Sequence, residues 1–176
     1  MGSGTTLVEA KLLNRNAIGV DINPQSVSIS ETNLQFQCET KSKIHTRCAN
    51  ATDLSFIKDS HIDFICTHPP YANIIKYSKN VDGDISLLTV EEFLKEMTVV
   101  AQEAYRVLRK GKACAVMIGD MRRYGKVVPL GFWVMECFLS VGFVSKEIII
   151  KEQHNCRSTD YWEKQNNNFL LLAHEY

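Results

Sequence analysis

Residues 63–78 read DFICTHPPYANIIKYS, and the chemistry-bearing part is His68-Pro69-Pro70-Tyr71. Proline fixes its own φ and donates no N–H, and the residue before a proline is held extended. The result is a stiff, donor-poor corner with an imidazole on one side and a phenol on the other. A neutral imidazole offers one acceptor nitrogen, whereas a protonated one offers none. The apolar run before the corner ends at Thr67. Ligands of open α/β sheets sit beyond such carboxyl strand ends. The plain alternative is a rigid turn with a core tyrosine, which leaves the next two features unexplained.

The first of these is MGSGTTLVEA at residues 1–10. Gly2-x-Gly4 before a helix lets the backbone approach a ligand closely, although Leu7 stands where a dinucleotide fingerprint has its third glycine. The second is GVDINP, in which Asp21 ends a short apolar run. An acidic residue about 20 positions after such glycines takes the two hydroxyls of a ribose. The competing reading of Asp21 is a turn aspartate before Asn23-Pro24.

The elements that must position these residues alternate. Thr5–Leu13 reads as a helix, Ala17–Ile22 as a strand, and Pro24 opens a second helix at a tolerated first-turn position. Lys43–Ala49 and Ile62–Thr67 read as strands, the latter apolar enough to be covered on both faces. Thr89 caps a long amphipathic helix to about Leu108 with Glu91 and Glu92 in its first turn, and Gly111 is expected to end it. Ala113–Ile118 reads as a strand, Leu130–Leu139 as a helix closed by Gly142, and Phe143–Ile150 and Phe169–Ala173 as strands. This order predicts an α/β fold, a doubly wound, mainly parallel sheet with helices on both faces. Residues 1–176 are expected to form a single domain. The long segment Ala72–Leu88 and the segment Met121–Val128 are the candidate substrate-contacting loops.

Lys and Arg total 20, Asp and Glu total 20, so no overall positive charge marks a nonspecific nucleic-acid binder. The cations are nevertheless clustered: Arg106, Arg109, Lys110, Lys112, Arg122, Arg123 and Lys126 fall in one span. That span is either a solvated face or a phosphate-contacting edge, with Arg122, Arg123 and Lys126 as the nucleic-acid candidates. The six scattered cysteines form no CxxC pair and read as reduced core residues of a cytoplasmic protein. Cys66-x-His68 and His154-x-Cys156 do not follow an established zinc spacing, so no metal is expected. No apolar run approaches the ~20 residues of a membrane span.

Together the glycine turn, the acid and the strand-terminal Pro-Pro-Tyr resemble the S-adenosylmethionine-dependent DNA amino-methyltransferases, which methylate adenine N6 or cytosine N4. MGSGTT is similar to that family's cofactor motif and GVDINP to its ribose-binding motif. CANATDLSF falls where the family holds the cofactor adenine, with Asn50 at a position often occupied by aspartate and Asp53 nearby. THPPY resembles the catalytic tetrapeptide, and LLLAHEY a late core strand. The resemblance implies S-adenosylmethionine as cofactor, held by Gly2, Ser3, Gly4, Thr5, Asp21, Ile22, Asn50 and Asp53. It implies His68, Pro69, Pro70 and Tyr71 as the catalytic set, and DNA as partner. His68 and the Pro69 carbonyl would accept the two amino hydrogens, and Tyr71 would stack on a base rotated out of a duplex.

His68 departs from the Asp, Asn or Ser usual in that family. Its acceptor role implies that activity falls as the imidazole gains a proton. The strand expected before the glycines does not precede them in this chain, so a further segment or a second chain is expected to complete the sheet. The alternative readings are methylation of guanine N2 in RNA, methylation of a protein glutamine amide, and a methylase-like binding module without activity.

Overall fold

The computed structural model describes residues 1–72, 81–124 and 126–151. Two compact units divide the chain, Met1–Val144 and Ser145–Tyr176. The first unit holds helix α1 (Thr5–Leu12), strand β1 (Ala17–Asp21), helix α2 (Pro24–Asn33), and strands β2 (Ile44–Cys48) and β3 (Ile62–Thr67). Helix α3 (Val90–Val107), strands β4 (Leu108–Val116), β5 (Met121–Arg123) and β6 (Lys126–Val128), and helix α4 (Leu130–Val141) follow. In the second unit, residues 145–151 carry neither helix nor strand.

Local sequence explains most boundaries. Asn23 caps α2 by accepting the Gln25 N–H at 3.0 Å, and Pro24 occupies the first turn. Thr89 and Glu92 form a reciprocal capping box at the start of α3. The Thr89 hydroxyl accepts the Glu92 N–H at 3.3 Å, and Glu92 accepts the Thr89 N–H at 3.0 Å.

α3 ends at Val107, within one residue of the expected Leu108, because Leu108 turns extended and pairs with Ile62 of β3. Gly111, at φ 77°, is not the helix stop but sits where the β3–β4 register slips between Ile62 and Phe64. The strand expected over Phe143–Ile150 is absent. Gly142 closes α4 in a left-handed conformation, and the Phe143 N–H returns to the Phe138 carbonyl at 3.3 Å. The Phe143 ring then packs against Tyr105 and Phe138, which uses it as the apolar partner of a helix C-cap. The strand expected over Phe169–Ala173 lies outside the described residues.

The parallel pairing is present in pieces. β1 pairs with β2 and β3 with β4, both in parallel, while β5 and β6 form an antiparallel hairpin. Among the described residues these are three separate two-stranded sheets, and β1 and β3 each have a single partner. β3 is therefore not covered on both faces as its sequence suggests: Phe64 is 59% exposed. Segment 50–61, between β2 and β3, is held on α3: the Leu54 N–H donates to Glu103 at 2.6 Å, and the His61 N–H donates to the Val107 carbonyl at 2.8 Å.

The core lies between α3 and α4. Phe93, Met97, Ala101 and Ala104 recur along one face of α3 and meet Leu130, Val134, Cys137 and Phe138 of α4. Phe93 and Leu130 are fully buried, each worth about 1.5–3 kcal/mol of apolar burial. Ala72 and Met121 belong to the same cluster, which brings the end of the Pro-Pro-Tyr corner and the base of the hairpin onto one support. No helix among the described residues is long and apolar enough to cross a membrane.

Candidate functional site

The glycine turn is held from two sides. Gly4 caps α1 at φ 81°, a left-handed conformation that favours glycine. A Cβ there would lie 2.8 Å from Ser30 Cβ, so α2 packs directly against it. Ser30 Oγ donates to the Gly2 carbonyl at 3.1 Å, and Asn33 Nδ2 donates to the Ser3 carbonyl at 2.9 Å. These two α2 residues were not singled out in the sequence; their i, i+3 spacing on one helix face was the available signal. Ser3 Oγ lies 3.3 Å from Thr5 Oγ1, and both side chains remain exposed at the turn.

Asp21 closes the turn from the end of β1. One carboxylate oxygen accepts the Gly2 N–H at 3.2 Å and the Met1 amino group, and the other accepts the Asn23 N–H at 2.9 Å. The glycine turn and the acid are thus in direct contact. The turn-capping role of Asp21 is present as well, and a carboxylate has acceptor capacity for more than these bonds.

Ile22 and Asn50 come together through a third residue. Gly83 stands at φ 78°, and a Cβ on it would lie 3.0 Å from Asn50 Nδ2 and 3.2 Å from Ile22 Cδ1. Asn50 Oδ1 accepts the Thr52 N–H at 3.1 Å, and its amide nitrogen lies against Gly83. Gly83 was not foreseen, because a lone glycine in a polar segment has no periodic signal. Asp53 stands beside Asn50, its N–H donating to the Asn50 carbonyl at 3.1 Å, while its exposed side chain turns to the Ser55 N–H, which its Oδ1 accepts at 3.0 Å. That backbone bond, aided by the Ser55 side chain, holds its carboxyl below the usual carboxylate range.

The corner at the end of β3 closes on itself. His68 Nε2 lies 3.2 Å from the Tyr71 hydroxyl, with ring centroids 5.8 Å apart and planes at 89°. Pro69 is buried and Pro70 half-buried beneath them. Tyr71 also packs on Gly119, where a Cβ would meet its ring at 3.4 Å. Ala72, fully buried, sits at φ 45°, a left-handed conformation uncommon for alanine. Backbone outliers of this kind cost about 1–3 kcal/mol and concentrate where a site fixes its geometry. Residues 73–80, in the expected Ala72–Leu88 loop, lie outside the described residues.

The cation cluster is divided by the fold. Arg106 bonds Asp59 at 2.6 Å and Glu103 at 2.7 Å, while Arg109 takes both oxygens of Asp63 at 2.9 Å. Lys112 lies 3.7 Å from Asp63. These cations brace the amino end of β3, opposite in chain sense to His68. Arg122, Arg123 and Lys126 stand apart on the β5–β6 hairpin, all exposed. The segment expected as a loop is therefore a paired hairpin.

Among the described residues no group of three or more His, Cys, Asp or Glu is arranged to hold a metal. His154 and Cys156 lie outside them. Cysteine burial is also uneven: Cys137 is buried, but Cys48 and Cys66 are exposed. Burial pushes the Cys114 thiol up to about 11, which rules it out as a ready thiolate.

The comparisons with known proteins fit this arrangement. No curated protein matches the sequence. A protein of Pyrococcus horikoshii OT3 is similar in structure, with a TM-score of 0.51 at 12% identity, over 79% of this chain and 68% of that one. That likeness supports the Rossmann-like α/β class. A protein from Methanosarcina mazei, described as a SAM-dependent methyltransferase, shares 24% identity over 65% of this chain with a TM-score of 0.49. This chain spans 47% of that protein's length. The family described as UPF0020, RMKL-like, methyltransferase domain, matches residues 1–122, and it agrees with the S-adenosylmethionine cofactor expected from the sequence. With its glycine turn, Asp21 and the Pro-Pro-Tyr corner all inside that stretch, the chain belongs to this family of methyltransferase domains.

Proposed function

We propose that the chain is the catalytic domain of an S-adenosylmethionine-dependent methyltransferase that methylates an exocyclic amino group, adenine N6 or cytosine N4, in DNA. The observation that carries this reading is the closed His68–Tyr71 corner at the carboxyl end of β3. The cofactor residues fit the donor: a glycine turn on the Asp21 carboxylate, and Ile22 and Asn50 brought together where Gly83 packs closely on both. Asp21 would take ribose hydroxyls, Gly2–Thr5 the methionine end, and Ile22 with Asn50 the adenine. S-adenosylmethionine supplies an electrophilic methyl group when bound.

The chain's own groups prepare the amino nitrogen. Its lone pair is delocalised into the base, so acceptors on both hydrogens favour a more pyramidal, more nucleophilic nitrogen. The Tyr71 bond decides how His68 can serve. If Nε2–H donates to the Tyr71 oxygen, Nδ1 is left as the acceptor for an amino hydrogen. The Pro69 carbonyl is the second acceptor. Two prolines fix the corner before substrate arrives, which matters where catalysis is mostly orientation.

The same corner acting on guanine N2 in RNA is the second reading, favoured by a family description that carries no DNA activity. We propose in addition that a further parallel strand, from another segment or a second chain, lies beside β1 and β3. Its support is that, among the described residues, each of these strands has one partner. Ile18 and Phe64 are 38% and 59% exposed, whereas parallel sheets are ordinarily covered.

The test is transfer of a labelled methyl group to unmethylated DNA, RNA and protein pools, with calorimetry on S-adenosylmethionine beside it. Label in DNA that His68→Ala abolishes supports the reading. Cofactor binding with label entering only protein contradicts it.

A further inference from the structure

The β5–β6 hairpin carries one residue that the fold does not use. Tyr124, at its tip, is 91% exposed, so its ring buries nothing in return for being there. Its backbone stands at φ 52°, a conformation that asparagine or glycine takes with less strain in a two-residue hairpin turn. Tyrosine is thus a costly residue at this position for folding alone, and strain of this kind points toward a role in function.

The surroundings specify the role. Arg122 and Arg123 precede Tyr124 and Lys126 follows it, all three exposed. Arg123 and Lys126 face one another across the hairpin, so cations flank the ring on both strands. The base of the hairpin is fixed beside the catalytic corner. Met121, 5% exposed, shares the core cluster with Ala72, and Gly119 packs on the Tyr71 ring. Asp120 accepts the Gly131 N–H at 2.9 Å, which ties the hairpin's entry to the start of α4. A three-residue strand reaches about 10 Å, so the tip stands roughly one such length from that support.

We propose that the hairpin is a nucleic-acid probe in which Tyr124 enters the base stack at the space vacated by the target base, while Arg122, Arg123 and Lys126 contact flanking phosphates. This rests on the nucleobase reading of the corner. An aromatic ring filling such a gap offsets the unstacking that base extrusion requires. Cations on both strands of the hairpin match the phosphates on either side of the gap. A protein or small-molecule substrate gives neither the ring nor the cations this task.

The test compares anisotropy titrations of two short fluorescein-labelled DNA duplexes, one fully paired and one with a single abasic position. Wild type is expected to bind the abasic duplex more tightly, because the gap is already open. Tyr124→Asn, which suits the turn and should keep or raise the Tm, is expected to weaken binding to the abasic duplex about 5- to 150-fold and to erase the preference. Tyr124→Phe is expected to retain both. Lys126→Ala is expected to lower the salt slope of log K by about 1. Equal binding of the two duplexes by wild type, or an unchanged preference in Tyr124→Asn, overturns the probe while leaving the corner's reading intact. Wild type that binds S-adenosylmethionine but neither duplex overturns both.

Discussion

His68 Nε2 lies 3.2 Å from the Tyr71 hydroxyl, with the two ring planes at 89°. The contact makes the Pro-Pro-Tyr corner a closed unit, in which the bond at Nε2 leaves Nδ1 as the free acceptor when the ring donates to Tyr71. Replacing His68 by a side chain that accepts no hydrogen bond should therefore lower methyl transfer, while S-adenosylmethionine binding persists. His68→Asn, whose side-chain oxygen accepts, should retain more transfer than His68→Ala. Equal rates for wild type and His68→Ala would contradict the role.

Tyr71→Phe keeps the ring on Gly119 and removes only the hydroxyl. With Nε2 unanchored, kcat is expected to drop about 10-fold, the scale of one hydrogen bond in the mid-to-upper part of its usual range. KM should change little, because the stacking face remains. Steady-state kinetics checks this, and a change confined to KM would show that the hydroxyl binds rather than orients.

Gly4 and Gly2 separate two effects that sequence alone merges. Gly4→Ala meets both a left-handed φ and Ser30 Cβ at 2.8 Å, and is expected to cost about 1–3 kcal/mol of stability. Gly2→Ala meets nothing within 4 Å and carries only the backbone cost at φ 55°, about 1 kcal/mol. Thermal denaturation should rank Gly4→Ala well below Gly2→Ala. The reverse order would mean that α2 does not hold the turn as described.

Gly83→Ala places a methyl group against Asn50 Nδ2 and Ile22 Cδ1. Calorimetry should show S-adenosylmethionine binding weakened about 10-fold, roughly the misfit of one methyl-sized intrusion in a tight pocket. Asp53→Ala, at an exposed turn position, should bind as wild type does. An effect at Asp53 and none at Gly83 would move the adenine site.

Glu103 gives the fold an acid-sensitive brace. Its bond from Arg106 first, with the Leu54 N–H and the Arg106 charge, holds its carboxyl below the ordinary glutamate value of 4.5. Because the folded state binds the proton more weakly, this contribution is complete above the ordinary value and is lost as pH falls through the depressed one. Glu103→Gln should lower the Tm by roughly 2–4 °C at neutral pH and flatten the acid limb of stability. An equal loss at all pH values would mean that charge plays no part.

Much of the fold was legible because its boundaries carry local chemistry. Thr89 with Glu92, and Asn23 with Pro24, mark helix starts by bonds the residues make with their own neighbours. β3 begins and ends where the sequence places it, at Ile62 and Thr67. The misreadings involve residues whose partners are distant in sequence or whose signal is short. Phe143 looked like the first residue of a strand but serves as the apolar contact of a helix cap. Met121–Val128 lacks the Asn-Gly or Asp-Gly turn that announces a hairpin, and its strands are three residues each. Arg106 and Arg109 looked continuous with Arg122 and Arg123 until Asp59 and Asp63, from another strand's approach, were seen to engage them. At the site, Gly2 and Asp21 stand out by their spacing, but the bond between them does not. Gly83, Ser30 and Asn33 enter only through tertiary contact.

The most direct test of the central claim is nucleoside analysis of nuclease-digested DNA after incubation with the full chain and labelled S-adenosylmethionine, run beside His68→Ala. The account predicts label in N6-methyladenine or N4-methylcytosine with wild type and a loss of about 100-fold in the variant. Label recovered only in carbon-methylated bases, or equal label with and without His68, would contradict it.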